Sequence, residues 1–290
     1  MTNVEGYLKK AAKLVDETIE ELLPPASMHP SSVHTAMRYS MFAGGKRVRP
    51  CLIMAAHEAC GGEFGDRNIA LASAAVEMLH TFSLVHDDLP CMDDDDFRRG
   101  KPTAHKAFSE ALAVLEGDAL CIYAFEVLAR TGRIAVITEL AQALGTGGMI
   151  GGQVVDIESE GRGVDFKTVE YIHENKTAAF IRACVRVGGM LAGAPTSTLN
   201  SLTAYGNHVG LAFQVIDDIL DEEGTTEQLG KDAGSDREKG KATFPAVFGL
   251  DESKKYAQEL IDAACRDVAF LGVRGDILTA LADYIRTRIS

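Results

Sequence analysis

Apolar residues return every three or four positions through most of this chain, and strict alternation is nowhere sustained. In residues 5–23, Leu8, Ala11, Leu14, Val15, Ile19 and Leu22 keep the helical period until Pro24-Pro25 stops it. Ser31-Ser32 is expected to cap a helix that runs through Met41 and is closed by Gly44-Gly45. Residues 50–60 and 68–89 read as two apolar helices separated by Gly61, Gly62, Glu63, Phe64, Gly65 and Asp66. Further helices are expected over 111–130, 134–144, 165–190 and 202–220, the last starting after Pro195-Thr196-Ser197. Residues 222–240 are too rich in charge and Gly for a core helix and read as a flap. Thr243-Phe244-Pro245 opens another helix, and 252–289 form one or two amphipathic ones. The expectation is an all-α chain, residues 1–290 forming a single-domain helical bundle.

Hydrophobic residues make up 46% of the sequence, ample for a large core. With 7% aromatic residues and no Trp, that core must be mainly aliphatic. The net charge of −13 argues against nucleic acid, whose binding needs a basic face. None of the six cysteines stands in a CxxC pair or a zinc spacing, which suits a reducing compartment. Cys91, beside a carboxylate run, is open to oxidation. The N-terminal stretch lacks a signal-peptide apolar core, and no run of 18 apolar residues suggests a membrane span. The expected location is cytoplasmic.

Charge is concentrated in one place. Asp87-Asp88 and Asp93 to Asp96 put six carboxylates behind an apolar helix and ahead of Arg98, Arg99 and Lys101. Pro90 should bend or end that helix, leaving Asp87 and Asp88 on its last turn. Massed carboxylates raise one another's pKa unless a cation sits among them. Magnesium, with its preference for oxygen ligands, suits them; a solvated acidic loop is the plainer reading. A second run weighs against that plainer reading. Asp217 and Asp221 share one face of an apolar helix with Asp218 beside them, a spacing that destabilises a helix unless a ligand explains it. Metal bridging also lets an acidic protein bind an anion. Gly44-Gly45, flanked by Lys46, Arg47 and Arg49, suits a diphosphate, although cations clustered at a helix C-terminus would look alike. Lys176-Thr177 lies amid small residues that permit a local helix distortion, freeing carbonyls; an exposed Lys beside a back-bonded Thr is the alternative.

Gly44 to Pro50, the DDxxxxD run at Asp87, Lys176-Thr177, the DDxxD run at Asp217 and Gly230-Lys231-Asp232 together resemble a trans-isoprenyl diphosphate synthase of the farnesyl/geranylgeranyl (polyprenyl synthetase) family. Within it the likeness is to bacterial-type farnesyl-forming members. The resemblance implies an isoprenoid-synthase bundle around a central apolar cavity, and a prenyltransferase joining isopentenyl diphosphate head to tail to dimethylallyl or geranyl diphosphate. It assigns Lys46, Arg49, His80 and Arg99 to isopentenyl diphosphate. Arg98, Lys176, Thr177, Gln214, Lys231 and Lys241 go to the allylic diphosphate, the first four being catalytic. Asp87, Asp88, Asp93, Asp217, Asp218 and Asp221 would hold several Mg²⁺ ions. A homodimer is expected. His80, seven residues before Asp87, is two turns below it on about the same face, though a lone His in an apolar helix is more often a core residue. Gly145 to Gly152 lacks both a preceding strand and GxGxxG spacing, so it reads as close helix packing or room for a prenyl chain. Gln153 and Asp156 follow on the same helix and could face the cavity.

Phe82 and Ser83 are the chain-length positions the resemblance marks. Phe82 lies about 7.5 Å below Asp87 along the helix. A ring there suits a floor for farnesyl diphosphate, while simple core packing is the other reading of Phe82. Geranylgeranyl diphosphate is the alternative product. A terpene cyclase would not need Lys46 and Arg49, and a non-catalytic subunit of a heteromeric synthase would be expected to lose one aspartate run.

Overall fold

Nearly every helix stands where the apolar period places it. The computed structural model describes residues 3–223, 241 and 243–287. Its first helices are α1 (Val4–Leu22), α2 (Ser31–Met41), α3 (Val48–Ala59) and α4 (Arg67–Asp87). Strands β1 (Phe97–Arg98) and β2 (Lys101–Pro102) follow, then α5 (Ala104–Ala107), α6 (Glu110–Ala129), α7 (Ile134–Leu144), α8 (Met149–Ser159) and α9 (Phe166–Ile172). A π-helical turn, His173–Ala178, leads into α10 (Ala179–Leu191) and α11 (Thr196–Glu223). Three further helices span Phe244–Phe248, Leu250–Val268 and Asp276–Arg286. The chain divides into two units. One comprises Glu5–Cys51 and Gly65–Ile134, the other Met1–Val4, Leu52–Phe64 and Ala135–Ser290.

In the first unit α4 is the central helix. Asp66 caps it, its carboxylate accepting from the amides of Asn68 and Ile69 at 2.9 and 3.4 Å. Its run from Ile69 to Leu79 is buried on all sides, which is why its sequence is almost continuously apolar. Helix α6 packs closely against it at Gly117, where a Cβ would lie 2.1 Å from His86 Nε2. Arg47 is buried and binds Asp16 at 3.0 Å, Glu77 at 2.8 Å and the Met41 carbonyl at 2.6 Å. It is thereby withdrawn from the cation trio that the sequence offered to a diphosphate.

Glu116 on α6 is fully buried. Burial pushes its pKa up to about 7, with the Ser40 hydroxyl pulling slightly the other way. The folded chain therefore keeps a proton that the unfolded chain releases near its ordinary value. That contribution is fully present below pH 4.5 and is lost as pH rises through 7, a fall of about 3 kcal/mol. Urea unfolding at pH 5 and pH 8 should show this fall in the native protein. In Glu116→Gln it should be smaller by that amount; equal slopes in both would remove Glu116 as the cause.

Two expectations need correction. Ser31 and Ser32 do not cap α2: the helix begins at Ser31 itself, so the cap position falls on Pro30, which makes no side-chain cap bond. A two-stranded hairpin stands where no strand was expected, pairing Phe97 with Pro102 and Arg98 with Lys101. Arg99 and Gly100, both at positive φ (53° and 75°), make the two-residue turn that such a hairpin needs. By length and composition alone, two helical stretches could cross a membrane, Arg67–Asp87 and Ile134–Ser159. The first is 72% buried within the protein, as core helices are.

In the second unit α11 packs on α10 and on Leu250–Val268. Glycines set the spacing. A Cβ on Gly210 would lie 2.5 Å from Ala178 Cα, and one on Gly152 2.3 Å from the Lys176 amide nitrogen. Gly152, the last glycine of the Gly145–Gly152 stretch, thus packs α8 closely against the π-turn. Tyr205 is fully buried and donates to the Leu278 carbonyl at 2.7 Å. Phe244 stacks on Tyr256 at 5.0 Å and on His173 at 5.7 Å, with Phe166 edge-on at 5.9 Å.

Candidate active site

In the first unit the end of α4 folds back on itself. The Leu89 amide donates to the His86 carbonyl at 3.2 Å and the Asp93 amide to the Asp87 carbonyl at 2.8 Å. Asp93 is thereby returned to the helix end that carries Asp87. These are hard oxygen donors of the kind Mg²⁺ takes. Asp88 is buried and grips Arg98, whose Nε lies 2.7 and 2.9 Å from its two oxygens. Burial raises the Asp88 carboxyl, and Arg98 pulls it back down. Burial alone would lower the Arg98 guanidinium, but Asp88, Asp95 and Asp87 hold it above its ordinary value.

The two arginines diverge. Arg99 donates to the Gly44 carbonyl, and its guanidinium carbon lies 2.7 Å from where a Gly45 Cβ would be. Gly44 and Gly45 also hold φ of +100° and +130°. No other residue combines that backbone with that space. Lys46 is exposed and Arg49 sits in the first turn of α3. These cations therefore stand at a helix N-terminus, where the dipole favours anions rather than cations. The reading of a decorated helix C-terminus falls.

Arg49 Nη1 lies 3.3 Å from His80 Nε2. Burial, then Arg49, Arg99, Arg98 and Arg47, hold the His80 ring well below its ordinary pKa. The ring is neutral, accepts from Arg49 through Nε2, and carries its proton on Nδ1. Phe82 is half-buried, edge-on to His86 at 5.6 Å. Ser83 donates to the His80 carbonyl at 2.9 Å. His86, which no sequence argument picked out, braces Phe82, meets the Val114 carbonyl at 3.1 Å and fits against Gly117. Its position four residues after Phe82 was the available signal.

In the second unit the helix distortion anticipated at Lys176-Thr177 is the π-turn His173–Ala178. Thr177 Oγ1 donates to Gln214 Oε1 at 2.7 Å, and Gln214 Nε2 donates to Asp218 at 2.9 Å. The second Asp218 oxygen accepts from the Phe244 amide at 2.9 Å and faces His173 Nε2 at 3.3 Å. Buried, and with both oxygens engaged, Asp218 braces Gln214 against the start of the Phe244 helix. Asp217 and Asp221 lie one turn apart on α11. Lys176 Nζ binds Asp156 at 2.6 Å. Asp156 and His173 lie far from their partners along the chain, and nothing local in the sequence marks either pairing. Lys241 is half-buried outside any helix, while Lys231, with its glycine loop and the flap from 224 to 240, lies outside the described residues.

Neutral histidine, arginine forks and a glycine pair at one helix start, with hard carboxylates at another helix end, belong to a protein that handles diphosphates. Residues 30–269 match the polyprenyl synthetase family. The chain is 41% identical to a farnesyl diphosphate synthase from Bacillus subtilis (strain 168), over 99% of each chain. It is also 41% identical to a geranylgeranyl diphosphate synthase from Cyanophora paradoxa, over 99% of this chain and 97% of that one. Among solved structures, an FPP/GFPP synthase from Zymomonas mobilis matches with a TM-score of 0.87 and 35% identity, over 98% of this chain and 99% of that one. The fold is the all-α isoprenyl synthase fold. The chain belongs to the polyprenyl synthetase family and is a prenyltransferase.

Proposed function

We propose that this protein condenses isopentenyl diphosphate head to tail with dimethylallyl and geranyl diphosphates, Mg²⁺-dependently, to give farnesyl diphosphate. The half-buried Phe82 ring, braced by His86 on the helix that ends in Asp87, is the observation that carries the product. Asp87, Asp88, Asp93, Asp217 and Asp221 would hold Mg²⁺, which when bound supplies positive charge to the departing diphosphate. Arg98, Lys176, Lys231 and Lys241 add fixed positive charge to the same leaving group. The Thr177 and Gln214 dipoles stabilise the allylic cation left behind. Lys46, Arg49, Arg99 and the Nδ1 proton of neutral His80 hold isopentenyl diphosphate, whose double bond attacks that cation. A proton then leaves to the released pyrophosphate.

Product analysis with Mg²⁺, isopentenyl and dimethylallyl diphosphates tests this. A farnesyl product supports it; no condensation by folded protein sinks it and favours a non-catalytic subunit. The relatives divide between farnesyl and geranylgeranyl names, so geranylgeranyl diphosphate is the second reading. Phe82→Ala should shift the main product at least one isoprene unit longer, because a small side chain removes the floor. Unchanged length would place the floor elsewhere.

Residues 1–290 are proposed to act as one catalytic domain in the cytoplasm, and as a homodimer. Leu115 and Ile122 on α6 are 58% and 71% exposed, a large apolar face for a second copy. Light scattering should give twice the chain mass of 31.1 kDa.

A further inference from the structure

We propose a second divalent-cation site, formed by Asp94, Asp96 and His105, separate from the carboxylates assigned to the reaction. One ring nitrogen of His105 and one carboxylate oxygen from each aspartate lie within 4.8 Å of one another. Ligands about 2.0–2.2 Å from a common ion are at most about 4.4 Å apart, so exposed aspartates need move only a few tenths of an ångström.

The histidine is the observation that points to a cation. His105 is 8% exposed. The Thr103 hydroxyl donates to the Asp95 carbonyl at 2.8 Å, so towards His105 Nδ1, 3.1 Å away, it can only accept. Nδ1 therefore carries the proton, and Nε2 is left as a bare lone pair. That Nε2 is buried and has no hydrogen-bond partner. A metal-ligating imidazole has this same arrangement, its other nitrogen donating to an outer partner that fixes the ring. Lys106 is the rival cation, its Nζ 2.7 Å from Asp96. Both partners of that pair are exposed, so it is weak and can open.

One imidazole with two carboxylates favours a transition ion such as Mn²⁺ or Zn²⁺ over Mg²⁺. The site joins the two ends of the β1–β2 hairpin, where the Thr103 amide already meets the Asp96 carbonyl at 3.0 Å. An ion there would fix the hairpin that presents Arg98 and Arg99.

The probe is Mn²⁺, added without diphosphate to the full chain and to an Asp87→Asn/Asp217→Asn variant that weakens the reaction's own carboxylates. Pulsed electron paramagnetic resonance should show a nitrogen coupling from bound Mn²⁺ in both. His105→Gln should abolish that coupling. Asp94→Asn and Asp96→Asn, at exposed positions that do not threaten folding, should each weaken the coupled Mn²⁺ at least tenfold. Mn²⁺ bound without nitrogen coupling, or coupling and affinity unchanged in the two aspartate variants, would overturn the proposal.

Discussion

Asp218→Asn should lower kcat about 10²-fold while leaving KM for isopentenyl diphosphate nearly unchanged. The wild-type carboxylate accepts from Gln214 through one oxygen, and from the Phe244 amide beside His173 through the other. Asparagine replaces one acceptor with a donor, so one of these partners must meet an N–H with an N–H. Gln214 then loses the contact that fixes its amide, and Thr177, which donates to that amide, loses its orientation. Both groups are proposed to stabilise charge that exists only after ionisation, so the loss is expected in kcat. Isopentenyl diphosphate is assigned instead to Lys46, Arg49, His80 and Arg99, so its KM is expected to hold. Steady-state kinetics with each substrate varied separate the two constants. A variant with normal kcat would show that Thr177 and Gln214 hold their geometry unaided.

Glu77→Ala should be the most destabilising single change described here. Arg47 and Glu77 side chains are each 2% exposed, so the variant strands a buried guanidinium. Asp16, half exposed, cannot replace the lost charge. Breaking such a pair costs about 3–5 kcal/mol, against a total stability of about 5–15 kcal/mol for a typical domain. Urea unfolding followed by circular dichroism measures it. Arg47→Met combined with Glu77→Leu should recover most of the loss, since it removes both charges together. A loss below 1 kcal/mol in Glu77→Ala would mean that water reaches the pair.

The helices were legible because burial on one face writes the helical period into the sequence, and α1 shows it from Leu8 to Leu22. The aspartate runs, the glycine pair and the Lys176-Thr177 distortion were legible too, since each conflicts with ordinary helix or loop chemistry. Partners distant along the chain were not. Nothing near Asp156 or Glu77 in the sequence points to its partner, Lys176 or Arg47, until the fold closes the distance. The bracing contacts of Asp218 escaped for a related reason: neighbouring helix positions point about 100° apart, and Phe244 and His173 lie far from it along the chain. The hairpin escaped because two residues per strand carry no alternation, and its mark was the Arg99-Gly100 turn.

Helix α4 carries Phe82 and Asp87 on one uninterrupted rod, capped at its start by Asp66. On the proposed reading, with Phe82 as the floor, the measuring stick for the product and the mark from which it measures move together. Heating, a tilt of the helix or a destabilising change elsewhere would slow turnover without altering how long the product grows. Yield should respond to the state of the whole molecule, and product identity only to what touches that rod between its two marks.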